Sequence, residues 1–285
     1  MSSILQTLKK CYILSMKFAF FGTDEFSVKV LDTLKDQNLL PSLIVTTPDQ
    51  PQGRKMILTP PPVKVWATEN KIDFVQPTKL KDFPFPAGDW DVFIVASYGK
   101  IIPQAILDIP KASTLNIHPS LLPKYRGATP LESAILSNDT ETGVTIIILD
   151  AEMDHGPVVA QVKTSLDSKY YEELRDELAE IGANLVTDTL PDLIAGKITP
   201  IDQDHTQATF TKKITKEDGL INLADDPITN FRKIRAFTPW PSAYFFDTRD
   251  GKNVRTIIKK AHLEGGALKI DRVIPEGKNE MSWND

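Results

Sequence analysis

Lys17-Phe18-Ala19-Phe20-Phe21-Gly22-Thr23-Asp24-Glu25-Phe26 reads as a short buried strand over 17–21, stopped by a polar turn. A helix is expected over 25–35, with Phe26, Val30, Leu31 and Leu34 recurring at helical spacing along one face. A second strand is expected over 41–46. The order strand, turn, helix, strand signals a parallel α/β sheet. A single glycine, Gly22, occupies the first turn, so the glycine-rich dinucleotide fingerprint is absent, which disfavours a nicotinamide or flavin cofactor.

The rest of the chain extends this pattern. Residues 47–62 form a proline-rich loop carrying Gly53, Arg54 and Lys55. Loops of this length without structure of their own are usually functional or disordered. A helix is expected over 63–70, strands over 73–76 and 91–96, a short helix over 103–107 and a strand over 114–117. Beyond the next loop come a helix over 128–136, a β-branched strand over 143–149, an acidic turn over 150–157 and a strand over 158–164. Helical periodicity then runs over 170–195 and stops at Gly196. A polar link leads to a second region of short strands, Asp-Gly turns (218–219 and 250–251) and a helix over 227–235. The domain boundary is expected between 200 and 208.

Composition narrows the classes. With 285 residues the chain is long for one domain and comfortable for two. No apolar run is long enough to span a membrane. Cys11 is the one cysteine, which excludes an intramolecular disulfide and a cysteine-based metal cluster and fits a reducing cytosol. The four histidines, His118, His155, His205 and His262, lack metal-ligand spacing, so no metal is expected. The net charge is −5, unevenly spread. From Thr209 onward 14 Lys+Arg face 11 Asp+Glu, +3, while the residues before it hold 19 basic and 27 acidic, −8. A mildly basic tail suits an anionic partner, and a solvated face explains it as well. Residues 1–16 lack the order of a signal peptide and read as an extension.

The chemistry gathers at Asn116-Ile117-His118-Pro119-Ser120-Leu121-Leu122-Pro123. Side chains at i and i+2 of a strand share a face, so Asn116 and His118 stand side by side where a strand leaves the sheet. Asp154, in the acidic turn after a neighbouring strand, can join them. A carboxylate beside an imidazole favours the imidazolium, and an imidazolium with an amide NH2 beside it forms an oxyanion hole. No G-x-S-x-G elbow supplies a nucleophile, although Ser120 is near. The pattern points to a reaction whose substrate brings the nucleophile, such as an amine attacking an activated carbonyl. Ordinary buried polar contacts are the competing reading.

These residues carry a family resemblance. The stretch 116–123, with Lys-Tyr-Arg-Gly-Ala-x-Pro (124–130), Glu-Thr-Gly-Val-Thr-Ile (141–146) and Met-Asp-x-Gly (153–156), resembles the formyltransferases that use 10-formyltetrahydrofolate. Phe-Gly-Thr-Asp-Glu-Phe (21–26), Pro-Asp-x-Pro-x-Gly-Arg (48–54), Leu-Thr-Pro-x-Pro-Val-Lys (58–64) and Ile-Arg-Ala-Phe-x-Pro-Trp-Pro (234–241) resemble the branch that acts on initiator methionyl-tRNA. The resemblance implies an α/β fold: a Rossmann-like, mostly parallel formyltransferase domain over 17–200, a linker over 201–208, and a small, abridged OB-like β-barrel domain over 209–285 that binds tRNA.

It further implies that Asn116, His118 and Asp154 are catalytic. The folate donor, 10-formyltetrahydrofolate, is expected against Val95, Ala96, Tyr98, Leu149, Met153 and Gly156, at the carboxyl edge of the sheet, and against Ser120, Leu121, Leu122 and Pro123. For tRNA the implied contacts are Arg54, Lys55, Lys64, Lys212 and Lys213. Gln50, Met56 and Ile57 stand where basic or glycine residues are common in the family, so the 48–64 loop offers apolar side chains instead. Phe237, Trp240, Tyr244, Phe245 and Phe246 are expected in the core of the small domain. A cytoplasmic, monomeric, metal-free enzyme is implied. Alternatives are a sugar-nucleotide N-formyltransferase using the same donor and a non-catalytic RNA- or folate-binding relic.

Overall fold

The computed structural model describes residues 16–53, 55–249 and 252–283. The extension at 1–15, Arg54 and the Asp250-Gly251 turn lie outside them. The chain divides into two compact units, Met1–Arg126, Gly143–Lys163 and Asp176–Thr209 forming the first, and Gly127–Thr142, Thr164–Arg175 and Phe210–Asp285 the second.

The first unit is built on a seven-stranded sheet. Its strands are β1 (Phe18–Gly22), β2 (Leu43–Val45), β5 (Phe74–Val75), β6 (Val92–Ala96), β7 (Ser113–His118), β8 (Glu141–Ile148) and β9 (Val158–Ser165). Their order is β5-β2-β1-β6-β7-β8-β9. The five strands from β5 to β7 run parallel, as the opening stretch predicts. β1 and β6 are buried along their whole length, as central parallel strands must be. Helix α1 (Glu25–Asp36) starts at Asp24, whose side chain accepts from Ser27 N at 3.2 Å, and buries Phe26, Val30, Leu31 and Leu34. Behind the end of β7 lies the long helix α3 (Tyr171–Ile194). A Cβ on its Gly182 would stand 2.4 Å from Ile117 Cγ2, so only glycine lets this helix approach β7 so closely.

β8 runs antiparallel to β7, with His118 opposite Thr145 and Leu115 opposite Ile148. This matters for the site. The chain leaves β8 beside the start of β7, and the 149–157 turn must fold back along β7 to reach His118. The turn therefore does not hang from a common carboxyl edge, contrary to the expectation for parallel neighbours.

The proline-rich loop is not structureless. It contains a hairpin of β3 (Gln50–Gln52) and β4 (Ile57–Thr59), with Gln52 opposite Ile57, followed by α2 (Pro62–Asn70). Met56, Ile57 and Leu58 are 61–68% exposed.

In the second unit, β10 (Tyr244–Arg249), β11 (Lys252–Glu264), β12 (Ala267–Pro275) and β13 (Met281–Ser282) form one antiparallel sheet in chain order, bent by irregular register in β11 near Ile258 to Ala261. Helix α4 (Pro227–Ala236) supplies Phe231 and Ile234 to a core with Ile221, Ala243, Phe245, Ile258 and Ala261. Phe237 and Phe245 are buried as expected, whereas Trp240 and Phe246 are about half exposed. Alternation explains Phe246, since it follows the inward Phe245 on the same strand. Arg235 is also buried, donating to Asp167 O and Lys169 O. No helix among the described residues is long and apolar enough to cross a membrane.

Candidate active site

Asn116 and His118 lie on one face of β7, both buried, and the folded-back turn brings Asp154 to them. Asp154 Oδ1 is 3.4 Å from Asn116 Nδ2 and 3.6 Å from His118 Nδ1. The second distance is an ion-pair separation rather than a hydrogen bond. On its other side the imidazole is anchored, with Nε2 at 3.0 Å from Tyr125 O. A carbonyl oxygen only accepts, so this bond keeps a proton on Nε2 and leaves Nδ1 facing the carboxylate. Both anchoring turns use left-handed backbone, with φ 62° at Tyr125 and 50° at Asp154. An aspartate tolerates that conformation better than most residues.

The loop after β7 is stitched to the sheet. Ser120 Oγ donates to Lys124 O at 2.7 Å, so this hydroxyl serves the loop rather than a substrate. Thr145 Oγ1 donates to Ser120 O at 2.7 Å and accepts from Leu122 N and Gln161 Nε2 at 3.1 and 2.8 Å. Leu122 is buried, and Leu121 and Pro123 are half-buried.

The residues expected near the donor differ in exposure. Val95, Ala96 and Tyr98 are buried, so contacts there fall to the main chain. Tyr98 packs edge-on against Phe21, and its hydroxyl finds no hydrogen-bond partner among the described residues. Burial pushes this phenol up to about 12. Met153 is exposed and Leu149 half-buried. Gly156 is buried, and a Cβ there would stand 1.8 Å from Ile148 O, so the turn closes only with glycine.

Of the expected RNA contacts, Lys55, Lys212 and Lys213 are exposed, and Arg54 lies outside the described residues. Lys64 differs. Its ammonium is 2.8 Å from both oxygens of Asp49, and hydrogen bonds from Lys64 and Gln76 hold that carboxyl below the usual carboxylate range. The lysine's charge is thus already matched.

Sequence reasoning missed the support around the site. Gln203 and Arg126 are buried beside the 154–156 turn. His155, bonded to Asp150 at 2.7 Å, stacks on His205 at 4.0 Å. Arg126 lies in the Lys-Tyr-Arg-Gly stretch with no signal of its own, and Gln203 lies in a polar stretch that no periodicity distinguishes. No cluster of three or more His, Cys, Asp or Glu side chains suited to a metal occurs among the described residues.

Residues 16–190 match the family described as formyl transferase, and residues 213–265 match formyl transferase, C-terminal domain. The chain is 44% identical to the methionyl-tRNA formyltransferase of Chloroflexus aurantiacus over 94% of both chains. It is 38% identical to that of Listeria monocytogenes over 93% of both. Among solved structures, HypX from Aquifex aeolicus in complex with tetrahydrofolic acid shares the fold, with TM-score 0.65 and 20% identity over 94% of this chain and 46% of that one. Methionyl-tRNA formyltransferase from Clostridium thermocellum gives TM-score 0.58 and 18% identity over 91% of this chain and 98% of that one.

Proposed function

The chain belongs to the formyl transferase family, and on that premise we propose that Asn116, His118 and Asp154 carry its chemistry. The enzyme transfers a formyl group to the α-amine of methionine on initiator tRNA. The observation that carries this substrate is the match to a methionyl-tRNA formyltransferase over 94% of both chains.

The donor we infer is 10-formyltetrahydrofolate, a reading supported by the motif resemblance. The methionyl amine attacks the formyl carbon, and a tetrahedral intermediate with an oxyanion forms. Asn116 Nδ2 and protonated His118 are two donors on one strand face for that oxygen, and one such donor contributes about 10²–10³ in rate. Asp154 stabilises the positive charge on the ring. Because His118 Nε2 is tied to Tyr125 O, Nδ1 is the ring atom open to proton exchange. As the carbon–nitrogen bond to the folate breaks, the proton lost by the attacking amine is passed to the departing folate nitrogen. No covalent enzyme intermediate is needed.

The donor lies along the main chain of Val95, Ala96, Tyr98, Leu149, Met153 and Gly156, with Ser120, Leu121, Leu122 and Pro123 as its other wall. The β3–β4 hairpin, with Arg54 and Lys55, meets the RNA, and Lys212 and Lys213 add phosphate contacts from the second family segment. Lys64 supports the hairpin through Asp49. The enzyme acts as a cytoplasmic monomer built of the domains expected over 17–200 and 209–285.

The test offers the purified protein 10-formyltetrahydrofolate with initiator methionyl-tRNA, elongator methionyl-tRNA or amino-sugar nucleotides, and identifies products by mass spectrometry. Formylmethionyl-tRNA from the initiator species is the expected product. Formylation of an amino sugar with untouched tRNA overturns the reading.

A further inference from the structure

We propose that Gln203 is a positioning residue for formyl transfer, the centre of a brace that runs from residue 203 to residue 209 and holds both neighbours of the His118 imidazole. The inference rests on the catalytic roles given above to His118 and Asp154.

Gln203 is 7% exposed, and its carboxamide is fully used. Nε2 donates to Asp154 O at 2.9 Å and to Gly156 O at 2.8 Å. Oε1 accepts from Arg126 Nη2 at 2.7 Å and from Arg126 Nε at 3.3 Å. A carboxamide offers two donors and one oxygen with two lone pairs, and all are engaged. Arg126, itself buried, continues to His205 Nδ1 at 2.9 Å. A guanidinium only donates, so that histidine nitrogen accepts.

The other end of the segment grips the other side of the ring. Thr209 Oγ1 accepts from Tyr125 N at 2.8 Å, Thr209 O accepts from Arg126 N at 2.8 Å, and Thr209 N donates to Pro123 O at 3.2 Å. Tyr125 O in turn holds His118 Nε2. One stretch of chain thus fixes the left-handed turn that carries Asp154 and the left-handed turn that anchors the imidazole. Neither turn has a regular ladder of its own at these positions. Gln203 touches no reacting atom; it acts through the backbone of Asp154.

The chemistry of the amide predicts which replacements fail. Glutamate in its place keeps an acceptor for Arg126 but sets a carboxylate against two carbonyl oxygens. Methionine keeps the volume and loses every bond. Misplacement of a catalytic group by about 1 Å can cost about 10²-fold, so Gln203→Glu and Gln203→Met should lower kcat by about 10- to 100-fold. KM for methionyl-tRNA should stay within about twofold, whereas KM for the formyl donor should rise by a few fold at most, because Met153 and Gly156 of the donor wall lie in the turn that Gln203 holds. Hydrogen exchange should accelerate in peptides covering 150–157 and not elsewhere. Thr209→Val, which keeps shape and main-chain bonds, should produce a smaller fall in kcat with faster exchange over 123–126.

A kcat within about threefold of wild type in both Gln203 variants overturns the inference. So does a loss accompanied by faster exchange throughout the chain, which marks general destabilisation. Should wild-type protein fail to formylate any methionyl-tRNA, the functional reading falls, and exchange at 150–157 still decides whether Gln203 holds the turn.

Discussion

The exit of β7 and the β3–β4 hairpin are both marked by family motifs, yet they are built on opposite plans. At β7, His118, Ser120 and Arg126 are buried and each is bonded to main chain or to another buried side chain. On the hairpin, Met56, Ile57 and Leu58 point outward in succession. The difference fits the roles proposed for the two regions. Groups that must meet a reacting carbon are over-determined by their surroundings, because small errors in position are costly. Surfaces that meet a large partner are left free, and their side chains gain burial only on binding.

The largest expected effect sharpens that contrast at the buried end. His118→Ala and Asp154→Ala should each reduce single-turnover formylation by about 10²–10⁴-fold. Asp154→Asn is the more telling variant. Asparagine also tolerates left-handed backbone, so the turn survives and only the charge is lost. A drop of about 10²-fold with an unchanged melting temperature is expected. Near-normal rates in Asp154→Asn would mean that the carboxylate is only a turn residue.

How much of this was legible beforehand follows the same divide. The two-residue spacing of Asn116 and His118 makes them readable as a pair, because a strand's period of two needs no tertiary information. The parallel sheet was readable from one strand-helix-strand unit. The direction of β8 was not, since an apolar β-branched run looks alike in either orientation. That single unknown hid the fold-back of the 149–157 turn. Gln203 was illegible for a different reason. Its importance comes from bonds to residues 47 and 77 positions away, and its own stretch is polar like any linker. The hairpin at 50–59 escaped notice because Gln50-Pro51-Gln52 has no strand-like pattern, and its pairing is held by so few residues.

A moderate effect should mark the exposed end. Replacing Ile57 and Leu58 together by serine should shift stability by no more than about 0.5 kcal/mol per site, since both are already in water. KM for methionyl-tRNA should rise by about tenfold while KM for the formyl donor stays put, measured by varying one substrate at saturation of the other. Charge on the same hairpin separates further. Lys55→Ala should flatten the dependence of log KM on log salt by somewhat under one unit, as loss of about one phosphate contact does. Lys64→Ala should leave the slope unchanged, because Asp49 already matches its charge. Equal slopes for the two variants would break the distinction between a free and a committed lysine.

The smallest effect tests whether everything buried near β6 and β7 serves catalysis. Tyr98 is 2% exposed, packed against Phe21, and its hydroxyl is unpartnered among the described residues. A buried hydroxyl without a partner is a cost, so Tyr98→Phe should leave stability unchanged at neutral pH or raise it by about 1 kcal/mol. Burial raises this phenol from 10.0 to about 12, so the folded chain keeps its proton where the unfolded chain has lost it. Stability therefore falls as pH rises from 10 towards 12, and below 10 the group contributes no pH dependence. Chemical denaturation across that window should show a shallower alkaline decline in Tyr98→Phe than in wild type. The same variant separates packing from recognition. On the proposal that only the main chain of residue 98 meets the donor, KM for the formyl donor should stay within about twofold. A clear rise in that KM, with stability lost instead of gained, would mean that the hydroxyl finds its partner on the folate, and the orphaned group would then belong with His118 among the residues held ready for substrate.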